Sequence, residues 1–292
     1  MSTIRNAARG ADAANVAVGH RARRRAADYV AAGAVVTPLV LYVAAVVARL
    51  LSVAGVAYPV NEGSAYYVAV ARNLVEGRGL VTDALWSLAT PPLTVPRAAF
   101  ELWQPMATFV SAVPMTILGD SFFSAQLGHA LLGALVAPLC WFIARDASHA
   151  LGLNSERART VALGSGVLAM ALGPFLAATA IPDSTTPFLV FGLTACILMP
   201  RALTGSRAAG FALGLTLGLA YLARLEAIYL AAAFLLLAGR RWPRLLPPVI
   251  VGGLLVAAPW LVRNLLAFGT LFPGNALESL LFLTRNEDLF AY

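Results

Sequence analysis

Apolar residues run almost without interruption over 30–57, and again over 107–118, 122–144, 160–180, 185–199, 208–222, 227–238 and 245–268. Such continuous runs predict helices, since the strands of a membrane barrel would alternate polar and apolar positions. The longer runs reach the roughly 20 residues needed to cross a bilayer core. A backbone that crosses a bilayer must satisfy its own hydrogen bonds, which leaves a helix bundle as the architecture. The reading is therefore an all-α, polytopic transmembrane bundle. One long polar stretch, 58–102, interrupts the pattern between the first and second runs. It is predicted to form a loop with helices lying in the membrane interface, the first of them over Ala65–Glu76 with Tyr66, Val70 and Leu74 on one side.

The charged ends of the runs order the topology. Residues 1–28 form an Ala- and Arg-rich arm ending in Arg21-Ala22-Arg23-Arg24-Arg25, read as a basic cytoplasmic arm ahead of a membrane module over 29–292. Arg145, Arg157 and Arg159 share one loop, Arg201 and Arg207 a second, and Arg240, Arg241 and Arg244 a third. Placing all three inside with the arm puts the N-terminus in the cytoplasm. The 58–102 loop, Asp183, Arg224-Leu225-Glu226 and the chain after Arg263 then share the outer face. That assignment keeps 107–118 from crossing fully, as a re-entrant or interfacial helix. It also predicts a break within 208–238. One helix there would be about 45 Å long at 1.5 Å per residue and would hold Arg224 and Glu226 at mid-membrane, so a hairpin turning at those residues is expected.

Composition agrees. The chain is 60% hydrophobic and 12% charged, with a mean hydropathy of +0.77, against about 25% charged residues in soluble domains. The net charge of +7 is carried by the arm and the short loops, as the positive-inside bias requires, which argues against nucleic-acid binding. Cys140 and Cys196 lie inside apolar runs and His20, His129 and His149 are scattered, so no metal site or redox pair is assigned.

Four constellations carry candidate chemistry. Asn61-Glu62 follows the first run: Asn61 suits a helix N-cap, and Glu62 can take a proton from a hydroxyl acceptor if its site is partly desolvated. In Glu76-Gly77-Arg78-Gly79 the glycines either end that helix or let backbone approach a phosphate. Asp183, within Pro182-Asp183-Ser184-Thr185, either caps the next helix or serves the mouth of the bundle. Arg72, Arg78, Arg97, Arg224 and Arg263 either pair with Glu62, Glu76, Glu101 and Glu226 or grip a lipid-linked phosphate in the guanidinium fork.

Taken in order, several strings resemble one superfamily. They are Asn61-Glu62-Gly63 with Tyr66-Tyr67, Ala71-Arg72-Asn73-Leu74 and Glu76-Gly77-Arg78-Gly79, then Glu101-Leu102-Trp103-Gln104-Pro105, then Asp183. Gly218-Leu219-Ala220-Tyr221-Leu222-Ala223-Arg224-Leu225-Glu226, Pro259-Trp260-Leu261-Val262-Arg263-Asn264 and the string over 282–290 follow. The pattern resembles the GT-C-type glycosyltransferases, in particular family 39, the dolichyl-phosphate-mannose-protein mannosyltransferase-like proteins of bacteria, kin of the aminoarabinose transferases.

The resemblance implies an inverting transfer of a sugar from a polyprenyl-phosphate donor to a hydroxyl acceptor at the outer face of the plasma membrane, by a multi-pass protein. The family's catalytic base is an Asp, and Asn61 stands at that position. An amide cannot accept the proton, so Glu62, Asp83 or Asp183 must serve, with Glu62 the first choice. Arg72, Arg78, Arg224 and Arg263 are the expected donor-phosphate ligands, and Glu101, Trp103, Tyr66 and Glu226 the sugar or acceptor contacts. Glu62, Asp83 and Asp183 leave room for a divalent cation, but no His-rich cage accompanies them. Relatives usually have more helices, so the module is expected to be incomplete at its C-terminus. The alternative is a catalytically degenerate membrane subunit that binds lipid-linked sugar or scaffolds a partner.

Overall fold

The computed structural model describes residues 36–85 and 93–274. The basic arm, part of the first polar loop and the string over 282–290 lie outside the described residues. The rest is all-α apart from one small ribbon. Helix α1 (Val36–Ala54) leads to α2 (Glu62–Val75), then strands β1 (Val81–Thr82) and β2 (Arg97–Ala98). These pair antiparallel with Val81 opposite Ala98 and Thr82 opposite Arg97. Then follow α3 (Met106–Leu118), α4 (Phe122–Ala134), α5 (Val136–Ala150), α6 (Ser155–Ala171), α7 (Gly173–Ala180), α8 (Thr185–Leu203), α9 (Arg207–Ala223), α10 (Ala227–Ala238) and α11 (Trp242–Phe268). Four stretches are long and apolar enough to cross a membrane: Val36–Ala54, Phe122–Ala150, Thr185–Leu203 and Ala227–Phe268. The last of these is folded on itself at Gly239, whose φ of 52° leaves the right-handed helical region.

Two runs expected to be single helices are divided, and prolines account for both. Proline has no N–H to give the carbonyl four residues back, and its ring crowds that carbonyl. Pro138 therefore frees Ala134, where α4 ends, and α5 starts again beyond Leu135. Pro174 stands in the first turn of α7, behind an extended Leu172. The predicted break in 208–238 is present: α9 stops at Ala223, Arg224 is extended and α10 begins at Ala227.

Packing fixes the direction of each element. Phe188 and Phe191 of α8 meet Leu222 and Ala223 of α9, while Ala202 meets the other half of α9, so the two are antiparallel. Helices α9 and α11 run parallel, with Gly210 beside Pro248, Gly214 beside Val249 and Gly218 beside Val256. A Cβ on Gly214 would run into the Val249 carbonyl oxygen, and one on Gly252 into the Phe211 carbonyl oxygen. The glycines at 210, 214 and 218 therefore let two backbones touch, the small-residue contact that stands in for the hydrophobic effect inside a bilayer.

This arrangement separates the two sets of charged turns. Arg145 and Arg201 both pair with Asp146, joining the ends of α5 and α8 at one end of the bundle, and the starts of α9 and α11 lie there too. The turns at Asp183 and Arg224 lie at the other end. Helix α3 stays at that second end, packed against α2 and the first half of α4 through Thr108, Ser111 and Gly128. At about 1.5 Å per residue its 13 residues span about 20 Å, short of a core of about 30 Å.

Candidate active site

Four short segments converge on a cavity of about 530 Å3. Asn61, Gly63 and Tyr67 come from the start of α2, and Leu102, Trp103 and Gln104 from the approach to α3. Asp183 and Ser184 come from the α7–α8 turn, and Ala223, Arg224, Leu225, Glu226 and Tyr229 from the α9–α10 turn. Local chemistry sets each one. Asn61 is the N-cap of α2, its Oδ1 accepting the Ser64 N–H at 2.7 Å, so the cap reading of that residue is realised. In the α7–α8 turn, Asp183 Oδ1 accepts from the Thr185 N–H at 2.9 Å and from the Ser184 and Thr185 hydroxyls, each at 3.1 Å. Its Oδ2 takes no hydrogen bond from the described residues and points toward Gly63, where a Cβ would lie 4.0 Å away.

The two turns form one connected wall. Arg224 donates from Nη1 to Ser184 Oγ at 3.3 Å, and from Nε and Nη2 to Glu226 Oε1 at 3.0 and 2.5 Å. Burial works against the Arg224 charge, but Glu226 and then Asp183 outweigh it and hold the guanidinium above its ordinary value. Burial likewise opposes the Glu226 carboxylate, and Arg224 more than compensates, so that carboxyl sits below its usual range.

The facing wall is aromatic. Tyr66, Tyr67, Phe100 and Trp103 pack together, with Tyr66 edge-on to Trp103 at 5.0 Å and Tyr67 tilted against it at 5.7 Å. The Tyr66 hydroxyl accepts the Phe100 N–H at 2.6 Å. Burial pushes that phenol up to about 12, against the lowering effect of the bond from Phe100 and of Arg263, so it stays a neutral strut. Phe100 has a φ of 70°, a left-handed conformation unusual for a bulky residue. The Tyr66 bond and the contact with Trp260 at 5.6 Å hold it there, ahead of the lining residues Leu102, Trp103 and Gln104.

The expected site residues divide by position. Asn61, Trp103, Asp183, Arg224 and Glu226 come together around the cavity. Glu62 is exposed on the first turn of α2 and is not among the lining residues. Asp83 and Arg78 pair with each other, and Arg78 also with Asn73 and Glu76. Arg72 pairs with Asp120 at 3.2 Å, and Glu101 with Arg97 at 2.8 Å. Tyr66 stands behind the aromatic wall. Arg263 donates to the Ala99 and Leu80 carbonyls at 2.7 and 3.4 Å and lies over the Trp260 and Phe268 rings, pinning the small ribbon to α11. Among the described residues no group of three His, Cys, Asp or Glu gathers to hold a metal ion.

Gln104, Ser184 and Tyr67 stand inside the quoted strings but were assigned no role, and Tyr229 was passed over, since none of the four carries a periodic or charge signal. Sequence reasoning also passed over Arg49, whose signal was available as a charge inside the first apolar run. Arg49 is fully buried. Its Nη1 donates to the Ala45 carbonyl of its own helix at 3.4 Å, and its Nε and Nη2 have no partner among the described residues.

Fold and site together define a helical membrane protein with a polar, aromatic-walled cavity at one end of the bundle. The family model described as dolichyl-phosphate-mannose-protein mannosyltransferase matches residues 104–263, more than half of the chain, and the protein belongs to that family. Membership implies a membrane glycosyltransferase that depends on a lipid-phosphate-linked sugar. The matched span holds Gln104, Asp183, Arg224, Glu226 and Arg263, whereas Asn61, Glu62, Arg72, Arg78 and Asp83 precede it. No curated protein and no solved structure matches the chain.

Proposed function

We propose that the protein transfers a sugar, with inversion, from a polyprenyl-phosphate donor to a hydroxyl acceptor in the cavity walled by Asp183, Arg224 and Trp103. The acceptor oxygen attacks the anomeric carbon, the bond from that carbon to the phosphate oxygen breaks, and the polyprenyl phosphate leaves with the electron pair. Asp183 takes the acceptor proton on Oδ2. Arg224 meets the donor phosphate, Glu226 holds that guanidinium in place, and the aromatic wall stacks on the sugar. The positive-inside bias supports a cytoplasmic N-terminus and a cavity at the outer face of the plasma membrane.

The observation that carries this reading is Asp183, whose Oδ1 is held by three bonds while its Oδ2 takes none from the described residues, beside an arginine that opens on the same cavity. Glu62, next to two lining residues, is the second candidate for the base, and Arg72, Arg78 and Arg263 are the outlying candidates for the phosphate. The test is transfer of labelled sugar from a polyprenyl-phosphate donor by the purified chain. Asp183→Asn is expected to abolish transfer and Glu62→Gln to spare it; the reverse result moves the base to α2.

A second reading has its own support. Asn61 stands where the family resemblance expects Asp, which favours a degenerate subunit that binds lipid-linked sugar without transferring it. Transfer by Asn61→Asp alone, with the natural chain silent, would establish that reading.

A further inference from the structure

The cavity is divided by charge. Among the described residues, its carboxylate and guanidinium groups, Asp183, Arg224 and Glu226, all stand on the two turns that lead into α8 and α10. The opposite wall, from the start of α2 and the approach to α3, offers Asn61, Gly63, Tyr67, Leu102, Trp103 and Gln104, and no charge. Asn61 Oδ1 is already committed to the Ser64 N–H. Gln104 is different. Gln104 is only 9% exposed, and its Oε1 has no hydrogen-bond partner among the described residues.

A buried amide oxygen without a partner costs about 1–3 kcal/mol. Native proteins rarely keep such a group unless something else completes it. Here the amide shares a wall with Tyr67 and Trp103, where no described residue offers a cation for a phosphate. Amide and aromatic groups together suit a neutral, hydroxyl-rich ligand with apolar C–H faces, whereas the Arg224 guanidinium fork on the facing wall suits an anion.

We propose that Gln104 is the residue that reads a hydroxyl group of the transferred sugar, and that the division of the cavity orients the donor, phosphate toward Arg224 and sugar toward Gln104 and Trp103. This rests on the donor reading given above and adds the specificity contact and the direction in which the donor lies. The amide can accept from one hydroxyl and donate to another, so it discriminates by hydroxyl position. Loss of one such bond removes about tenfold in affinity, and a site built around a hydroxyl rejects an analogue that lacks it.

The experiment measures binding to the full chain in lipid nanodiscs. The probes are short-tail polyprenyl-phosphate mannose, glucose and galactose, the monodeoxy forms of whichever hexose binds best, and sugar-free polyprenyl phosphate. Gln104→Met keeps the length of the side chain and removes both hydrogen-bonding atoms, and Gln104→Glu keeps an acceptor and removes the donor. The expected result is that Gln104→Met binds the hexose donor about tenfold more weakly and binds sugar-free polyprenyl phosphate as the natural chain does. That unchanged binding also shows the variant is folded. One monodeoxy donor should bind natural chain and variant alike, which names the hydroxyl.

Equal weakening of donor and sugar-free carrier would overturn the proposal, since the amide would then serve the phosphate. No change with either variant would also overturn it, leaving Gln104 completed by water. If the natural chain binds sugar-free carrier but no hexose donor, the donor reading itself falls and takes this inference with it.

Discussion

The two ends of this bundle both carry arginine–carboxylate pairs, and they differ in what the pairs leave open. At one end Arg145 and Arg201 share Asp146, at 2.8 and 3.7 Å, on a surface where Asp146 is 45% and Arg201 56% exposed. Arg145 also lies over the Trp141 and Phe142 rings. None of these residues lines the cavity, and such exposed pairs contribute little energy. At the other end Arg224 and Glu226 make a similar pair, but on a turn that opens on a cavity facing Trp103 and Tyr67, with Ser184 linking the pair to Asp183. An arginine near a membrane is therefore no marker by itself. What distinguishes Arg224 is the concave, partly desolvated surface on which its fork is held.

The sharpest way to break this comparison is to remove one carboxylate from each end. Asp183→Asn should reduce transfer by about 10²–10⁴, the range for loss of a general base, while Asp146→Asn should change it by no more than about twofold. Comparable losses at both ends, measured as turnover of labelled donor, would mean that the cavity is not where the chemistry happens.

Next in size is the arginine pair. Arg224→Ala should raise the donor KM by about ten- to a hundredfold through loss of charge-assisted bonds to phosphate. Arg145→Ala should leave KM unchanged. Donor saturation curves for the two variants decide this, and an unaltered KM for Arg224→Ala would move the phosphate elsewhere.

A third substitution should act on both ends at once. Gly214→Ala puts a methyl group against the Val249 carbonyl of the parallel helix, and crowding a tight contact costs about 1–3 kcal/mol. The temperature at which the detergent-solubilised protein loses structure should fall, while the donor KM of the surviving protein stays as it was. A stable Gly214→Ala variant would show that α9 and α11 are less closely packed than described.

The smallest expected effect is one of pH. Burial raises the Glu226 pKa, but Arg224 more than offsets it and leaves the folded-state value below the ordinary 4.5. A depressed carboxylate contributes stability above its unfolded pKa and loses it as pH falls through the folded one. The Arg224–Glu226 pair should therefore be intact at neutral pH and weaken only below about pH 4.5. With both side chains 38% exposed, the contribution is screened and modest. Donor binding that already falls between pH 7 and pH 5 in the natural chain, and no longer does so in Glu226→Gln, would contradict this assignment.

Much of the architecture was open to reading because bilayer physics is written in one dimension. A charged pair halfway along an overlong apolar run has nowhere to go but a turn, which is why the break at Arg224 and Glu226 was legible. The same holds for Asp183 at the junction of two runs, and for the sorting of arginine-bearing turns to one end. Proline breaks behind Pro138 and Pro174 were legible in principle, yet hydropathy alone averages over them and gave single helices.

The cavity was not legible in that way. Gln104, Ser184, Tyr67 and Tyr229 lie on four segments far apart in the chain, and an uncharged polar or aromatic residue near a helix end has no signature of its own. Sequence alone also gave equal standing to Arg72, Arg78, Arg224 and Arg263. Only packing tells them apart: Arg72 faces Asp120, Arg78 faces Asp83 and Arg263 grips two backbone carbonyls, while Arg224 alone of the four lines the cavity. The sequence by itself determined that the chain is a helical membrane protein, and where its charged turns must fall, because each depends on local hydropathy and on the cost of burying charge. Which of those charges face one another across a cavity was decided by tertiary structure, because it depends on glycine-mediated helix contacts such as Gly214 against Val249, whose partners lie on separate helices.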